Sequence, residues 1–586
     1  MLLDGGERAA GEHVLRQLGG ALLRPATGFD EALAECIEVL ERRTGIVERD
    51  CEHKRVGGIA DARLLRLVQL AGANALQPAQ DAAVRLGAFA GHTLLIASGR
   101  PSLTLRLRQR WVRPRAMTAI DQIERAGATQ TLDVLDPATG EVVGTISAGS
   151  PEAADAAVRA ARAAQPGWAR TAPAERAAVL KAAAGRLREQ SKRLAALQTR
   201  EGGKPLADSL GGVEAGIGAI EQYAELGPLH RGRSLQGGWE SADLMIHEPR
   251  GVIALLVPWN DPVAIACGQI AAAVVTGNTV VFKPSEKTPL SAALLVELLA
   301  LPDGVLELLQ GDARAGRPLA AHADVDLVIH TGSVETGREV MQSGAARLGK
   351  ALLELGGKDA LIVDTGVDPE WAAEQAATGA FANAGQICTS VERIYVHRDV
   401  AEPFVAALTR RAEGLRVGPG NDPATEMGPL IDERQRDRVH DHVQDACRNG
   451  AELRTGGRVP EGPGWFYPPT VLVGPARDAP VLAQETFGPV AAVRVVDSFE
   501  DALAEANRGE YGLAAVVLTP SHANAQRAWR ELDVGTVKVN AVFGGAPGGA
   551  AQPRRHSGHG FGFGPELLDE VTHTKVVHLA VAPPVG

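Results

Sequence analysis

Cysteine is scarce. Five are scattered through 586 residues, at positions 36, 51, 267, 388 and 447, with no Cys-x-x-Cys pair. An odd, dispersed set excludes a disulfide framework and fits a reducing compartment, so a cytoplasmic protein is expected. Zinc-type spacing is also missing: Cys51-Glu-His53 has no second ligand cluster nearby, and no metal site is expected. Long apolar runs are absent from the front of the chain. Its longest uncharged stretch, 86–99, falls short of the about 20 residues that a membrane-spanning helix needs. The opening Met1-Leu-Leu-Asp-Gly-Gly-Glu-Arg8 lacks a basic start followed by an apolar core, so no signal peptide is read. Positive charge is in deficit. A net charge of −11 argues against nucleic acid as a partner, since phosphates call for a basic surface. There is no low-complexity tract and no solenoid-type repeat. What remains, 45% hydrophobic and 22% charged, is the composition of a soluble globular protein whose length calls for two or three domains.

Residues 1 to about 128 differ from the rest. They hold 18 Lys and Arg, of which only Lys54 is lysine, against 15 Asp and Glu, so the acidic excess belongs to the remainder. Leu33, Cys36, Ile37, Leu40 and then Leu64, Leu65, Val68, Leu70 recur at helical spacing, which predicts a mostly helical extension. Its basic stretch, Ser102 to Arg115, reads as a solvated helix or strand face, or as a dock for an acidic partner, a membrane surface or another subunit. We expect an appended module for regulation or interaction.

From Thr131 strands and helices alternate. Leu132 to Ile146 reads as a hairpin around Pro137-Ala-Thr-Gly140, and Ser150-Pro-Glu152 opens a helix with an N-cap and a first-turn proline. Alanine-rich helices follow to about Tyr223. The short apolar runs Arg250–Val257, Thr279–Lys283 and Asp326–His330, separated by helical segments, predict an α/β fold with a parallel sheet covered on both faces. Such sheets bind ligands at the carboxyl ends of their strands. Lys283-Pro-Ser-Glu286 and Thr331-Gly-Ser-Val-Glu-Thr-Gly337 stand at two of those ends. The second is a Gly-x-x-x-x-Gly turn entering a helix, suited to a pyrophosphate, although an ordinary βα turn reads the same way.

Three further stretches carry chemistry. Phe381-Ala-Asn-Ala-Gly-Gln-Ile-Cys388-Thr-Ser390 presents a thiol in a turn before a β-rich run; alone it reads equally well as a buried structural cysteine. Leu353-Glu-Leu-Gly-Gly-Lys358 offers a carboxylate before a glycine pair, and Val257-Pro-Trp-Asn260 an amide at a strand end. A nucleophilic sulfur, a base and an oxyanion donor are the parts needed to attack a carbonyl carbon. In this order the motifs resemble the NAD(P)-dependent aldehyde dehydrogenase superfamily, over about residues 131–580.

The resemblance implies an aldehyde dehydrogenase-like fold: a Rossmann-type NAD-binding domain at 129–355 (less about 229–249) and an α/β catalytic domain at 356–545. A β-strand oligomerisation arm would be built from 229–249 and 565–581, giving a homodimer or homotetramer. It implies Cys388 as nucleophile, Asn260 with the Cys388 amide as oxyanion donors, and Glu354 as the base that activates water against a thioester. Relatives that pass the acyl group to coenzyme A lack that carboxylate, so Glu354 favours release of a free acid. By the same resemblance the cofactor positions are Trp259, Lys283, Ser285, Glu286, Gly332, Ser333, Gly337, Glu485 and Phe487. Lys283 and Glu286 would take the adenosine ribose, Gly332, Ser333 and Gly337 the phosphates, and Glu485 and Phe487 the nicotinamide half. A carboxylate at 286 accepts from both ribose hydroxyls and repels a 2′-phosphate, so NAD is expected over NADP, with NADP still open through Lys283.

Some positions depart from the family pattern. Asp261 replaces a usual aromatic, Gln269 a frequent lysine, and Gly562 a frequent second glutamate, which removes the proton relay of some members. The substrate-mouth segment is replaced by Ala546 to His556, whose Arg554, Arg555 and His556 would suit an acidic tail unless surface carboxylates pair with them; Asp261 pulls toward a cationic or hydroxylated substrate. The alternatives to an acid-forming dehydrogenase are a coenzyme A-acylating enzyme and a non-catalytic binding protein on the same fold.

Overall fold

The computed structural model describes residues 84–89, 92–96, 106–108, 130–544 and 549–582. The chain divides into two compact units, Met1–Met117 and Thr118–Gly586. In the first, strands β1 (Val84–Phe89), β2 (His92–Ile96) and β3 (Arg106–Arg108) form an antiparallel sheet in that order. These strands lie within the extension expected to be mostly helical, and the rest of it lies outside the described residues. Arg106-Leu-Arg108 alternates charged and apolar residues with period two, within the stretch read as a solvated helix or strand face. The helical periodicities at 33–40 and 64–70 lie outside the described residues.

The second unit opens with the expected hairpin, β4 (Thr131–Leu135) against β5 (Val142–Ser147). Its turn closes on Gly140 at φ +74°, where a β-carbon would be strained. Ser150 then caps the helix Pro151–Ala169, its Oγ accepting from the Ala153 N–H at 3.3 Å, and Pro151 fills a position that needs no N–H. Next come β6 (Arg233–Leu235), β7 (Ser241–Pro249), β8 (Val252–Val257), β9 (Thr279–Pro284), β10 (Leu306–Leu308), β11 (Leu327–Thr331) and β12 (Lys350–Glu354). Beyond Glu354 the strands are β13 (Asp359–Val363), β14 (Val391–His397), β15 (Glu452–Thr455), β16 (Thr470–Val473), β17 (Val490–Val496) and β18 (Tyr511–Gly512). The last are β19 (Ala514–Leu518), β20 (Thr536–Val539), β21 (Arg554–Arg555), β22 (Gly558–His559) and β23 (Thr572–Ala580).

Two main sheets result. The six-stranded sheet runs β10-β9-β8-β11-β12-β22, parallel except for β22. The seven-stranded sheet runs β15-β16-β17-β14-β13-β19-β20, parallel except for β15. In the first, the chain steps outward from β8 to β9 and β10, then returns to β8's other side as β11. That reversal opens a crevice at the strands' carboxyl ends, where doubly wound sheets take ligands. The chain leaves this sheet at Glu354 and enters the other at Asp359, so only Leu355–Lys358 separates the carboxyl edge of one from the amino edge of the next.

Every residue of β8 is buried, as expected for a strand covered on both faces. The helix Pro262–Val275 that follows is apolar all round and packs against the helix Leu206–Leu226. Gly216 makes that approach possible, since a β-carbon there would lie 3.1 Å from Cys267 Sγ. Each Val, Leu or Ile buried in this layer contributes about 1.5–3 kcal/mol, which makes the floor under the β8 strand end rigid. A third sheet, β23-β7-β6, is antiparallel and largely exposed, with Val576 and Leu579 facing outward. Among the described residues no helix is long and apolar enough to cross a membrane.

Candidate active site

Asn260 is the last residue before Asp261 and Pro262 start the next helix, so strand end and helix start hold it from both sides. It is buried, and its carbonyl accepts from Asn383 Nδ2 at 3.4 Å. Asn383 belongs to an unusual turn. Asn383, Ala384 and Gly385 are consecutively left-handed, with φ of +49°, +54° and +70°. Reciprocal 3.1 Å hydrogen bonds between Asn383 and Gln386, each from a side-chain amide to the other's carbonyl, close it. Gly385 has no alternative residue, because a β-carbon there would overlap the Gly488 carbonyl. Gln386 Oε1 also accepts from the Ile431 N–H at 2.9 Å. The turn delivers Cys388, half-buried, to the loop before β14.

Glu354 ends β12, with Thr331 beside it across the parallel ladder and Gly558 on the other side. Its Oε1 accepts from the Gly562 N–H at 2.9 Å. The glycines after it are the meeting point of the site. A β-carbon at Gly356 would overlap the Glu485 carboxylate, and one at Gly357 would overlap the Cys388 carbonyl. The Gly357 N–H donates to Glu485 Oε1 at 3.1 Å. One dipeptide therefore touches the thiol segment and the Glu485 segment, with only Leu355 between it and Glu354.

The electrostatics follow from burial. Desolvation raises Glu354 to about 8, opposed by the Gly562 amide, and raises Glu485 to about 8 with help from Glu392. Asp359 stands well above the ordinary carboxyl range for the same reason; its Oδ1 accepts from the Ala514 N–H at 3.0 Å while Oδ2 has no partner among the described residues. Burial first, then Asp359, Glu354 and Glu485, push the Cys388 thiol up to about 12. Burial thus disfavours the charged forms of these acids and of the thiol.

At the crevice, Lys283 and His330 flank Leu256 across β9, β8 and β11. Lys283 Nζ donates to the Pro284 and Gly311 carbonyls at 2.6 and 2.7 Å, which uses two of its three donors. Glu286 is half-buried and accepts no hydrogen bond among the described residues, while the neighbouring Ser285 Oγ accepts from the Lys287 N–H at 3.2 Å. Ser333 caps the helix Val334–Ala345 through the Thr336 N–H at 3.2 Å. Gly332 donates to the Glu354 carbonyl at 3.0 Å, and Gly337 makes room for the Leu355 side chain. Trp259 meets Phe487 edge-on, with ring centroids 5.5 Å apart. Phe487 itself is left-handed at φ +54°.

The positions that depart from the family pattern have clear surroundings. Gln269 Nε2 donates to Thr331 Oγ1 at 3.2 Å, and its Oε1 has no partner among the described residues. Asp261 pairs with Lys204 at 3.1 Å, and Gly212 leaves it space. Its negative charge is thus offset, which weakens the pull toward a cationic substrate. Arg554 and Arg555 both pair with Asp533, and His556 lies 3.2 Å from Glu510. Of the two readings of these residues, an acidic-tail receptor or pairing with surface carboxylates, the structure shows the pairing. Residues 545–548 of the mouth segment lie outside the described residues. Reading the sequence alone missed Asn383, Asp359, Glu392 and the contact role of Gly562. A lone carboxylate opening the apolar strand Asp359–Val363 was the visible signal for one of them.

The profile of the aldehyde dehydrogenase family matches residues 124–577. The chain is 37% identical over 457 residues to a mitochondrial aldehyde dehydrogenase of Leishmania tarentolae, covering 77% of this chain and 92% of that one. Among solved structures, betaine aldehyde dehydrogenase of Staphylococcus aureus in complex with NAD+ superposes with a TM-score of 0.76 at 31% identity, covering 78% of this chain and 94% of that one. Lactaldehyde dehydrogenase of Escherichia coli gives 0.75 at 34%, covering 77% and 96%. With a family match spanning residues 124–577 and relatives of this identity covered over most of their length, the chain belongs to the aldehyde dehydrogenase family.

Proposed function

We propose that the protein oxidises an aldehyde to the free carboxylic acid with NAD, using Cys388 as nucleophile, Asn260 as oxyanion donor and Glu354 as general base. The observation that carries this reading is the convergence of the Cys388 loop, the Glu354 strand end and Glu485 on Gly356-Gly357. Cys388 sulfur, once deprotonated, bonds to the carbonyl carbon, and the Asn260 amide and Cys388 N–H take up the oxyanion charge. NAD, when bound, accepts the hydride that leaves this carbon, so the carbon–sulfur bond remains as a thioester. Glu354 takes a proton from water, the water oxygen bonds to the acyl carbon, and the carbon–sulfur bond breaks to release acid and restore the cysteine. A base poised at about 8 is matched to that proton transfer near neutral pH. Gln269 and Gly562 carry no titratable group, so solvent is the route by which Glu354 regains its working state.

The crevice residues fit a dinucleotide. The capped N-terminus of the helix Val334–Ala345, with Gly332 and Ser333 before it, suits a pyrophosphate, and the open Glu286 carboxylate suits two ribose hydroxyls. That carboxylate disfavours a 2′-phosphate, hence NAD over NADP; NAD+ is also the ligand of the Staphylococcus aureus relative. We assign the six-stranded sheet to the cofactor domain, the seven-stranded sheet to the catalytic domain, and β6, β7 and β23 to an arm that joins copies of the chain as a homodimer or homotetramer. Unpaired Cys267, Cys388 and Cys447 suit a reducing compartment, for which we propose the cytoplasm.

A panel of aliphatic, aromatic, amino- and carboxy-aldehydes with NAD, without coenzyme A, tests the reading. NADH formation that disappears in Cys388→Ala is the expected result. Turnover retained in that variant, or strict dependence on coenzyme A, refutes it.

A further inference from the structure

Glu392 lies in β14, four residues beyond the thiol, and is only 3% exposed. Its carboxylate grips a neighbouring segment by the backbone. Oε2 accepts the Thr486 N–H at 2.7 Å and Oε1 the Phe487 N–H at 2.8 Å. Lys358, equally buried, forms an ion pair with Oε2 and donates to Thr486 Oγ1 at 3.1 Å. From the opposite side Gln435 Nε2 donates to the Thr486 and Phe487 carbonyls at 2.9 and 2.8 Å. His442 Nδ1 lies 3.1 Å from Thr486 Oγ1. Two side chains, Glu392 and Gln435, thus hold the backbone of two consecutive residues, and two more, Lys358 and His442, reach the Thr486 hydroxyl.

The reason is in the backbone they hold. Phe487 has φ +54°, a left-handed conformation that a residue with a β-carbon keeps only when its surroundings over-determine it. Once released, the peptide relaxes to negative φ and the ring leaves its edge-on contact with Trp259. Glu485, two residues earlier, then loses its register against the Gly357 N–H. A carboxylate is suited to the task because it presents two acceptors to two adjacent N–H groups. An amide presents one acceptor and one donor, and leaves a buried N–H unpaired.

We infer that Glu392 is a positioning residue: by clamping the Thr486–Phe487 peptides in a left-handed turn, it sets Phe487 and Glu485 at the nicotinamide end of the crevice. This rests on the dehydrogenase reading above and adds to it a residue that touches neither substrate nor cofactor. Loosening the clamp moves the hydride acceptor's wall and leaves the adenosine end, on β9 and β11, unchanged.

The test is Glu392→Gln in the full chain, followed by the NADH burst, the isotope effect with an aldehyde deuterated at the carbonyl carbon, and NAD binding by calorimetry. The burst rate constant is expected to fall by about 100-fold, the scale of a displacement of about 1 Å at a reacting centre. An isotope effect on kcat emerges, and the NAD dissociation constant stays as in the wild type. Gln435→Met removes the opposing pair of hydrogen bonds without stranding a buried charge, and shifts the same readouts in the same direction by less. A purely structural role lowers burst amplitude alone and leaves rate constant and isotope effect as they were; that result overturns the inference. If Glu392→Gln does not fold, Gln435→Met decides by itself, and unchanged kinetics there are equally fatal. A wild type that forms no NADH removes the dehydrogenase reading and this inference together, whereas an active wild type with unaltered variants removes this one alone.

Discussion

The Gly562 N–H donates to Glu354 Oε1 at 2.9 Å, and a β-carbon at 562 would overlap the carboxylate. The glycine that stands where the resemblance leads one to expect a second glutamate is thus a contact of the proposed general base and not merely a lost relay. Gly562→Ala forces Glu354 to another rotamer. Acid release is expected to slow by about 10- to 100-fold while the NADH burst keeps its rate. Stopped-flow traces with equal steady-state rates in both proteins would show that the contact does not set the position of the base.

The same carboxyl sets a pH dependence. Burial raises Glu354 to about 8, and only the carboxylate can take a proton from water. The base form therefore grows as pH rises, so acid release climbs to a half-maximum near pH 8. Glu354→Gln keeps the burst, stalls release and abolishes that limb. A profile already flat from pH 6 upward contradicts this.

The thiol behaves in the opposite sense to an activated cysteine at rest. With Cys388 pushed up to about 12, thiolate is rare at neutral pH in the free enzyme. Alkylation by iodoacetamide without cofactor should accelerate about tenfold per pH unit from 7 to 10, with no plateau. A plateau below pH 8 would place the thiol in a more polar setting than its burial indicates.

Asn260 is the one side-chain oxyanion donor in the reading. Asn260→Ala is expected to cost about 100- to 1000-fold in kcat with little change in NAD affinity. A loss confined to KM would assign Asn260 to ground-state binding.

Removing one partner of the buried Lys358–Glu392 pair strands a charge. Lys358→Met should cost about 3–5 kcal/mol of stability, and adding Glu392→Gln, which removes the stranded charge and keeps one acceptor for the Thr486–Phe487 amides, should restore part of it. Urea unfolding of the two variants separates the cost of a stranded charge from that of lost packing.

The regular elements were legible because their signals are local. The all-apolar run of β8, the Gly140 turn and the Ser150 cap each express the preference of a few adjacent residues for one backbone state. The chemistry-bearing stretches around Asn260, Glu354 and Cys388 were legible as motifs for a similar reason. Strands β1 and β2 were not singled out, since short alternation is a weaker signal than the helical spacing upstream of them, whereas β3 falls in the stretch read as a helix or strand face.

By itself the sequence determined which chemical groups the protein owns and which segments are helix or strand, since both depend on neighbours along the chain. Only the tertiary structure decided what those groups face. Gly562 meets Glu354 across 208 residues, Glu392 meets Phe487 across 95, and Arg555 meets Asp533 across 22. Proton affinity likewise belongs to the folded state, because desolvation is a property of everything packed around a carboxyl or a thiol, whichever part of the chain it comes from.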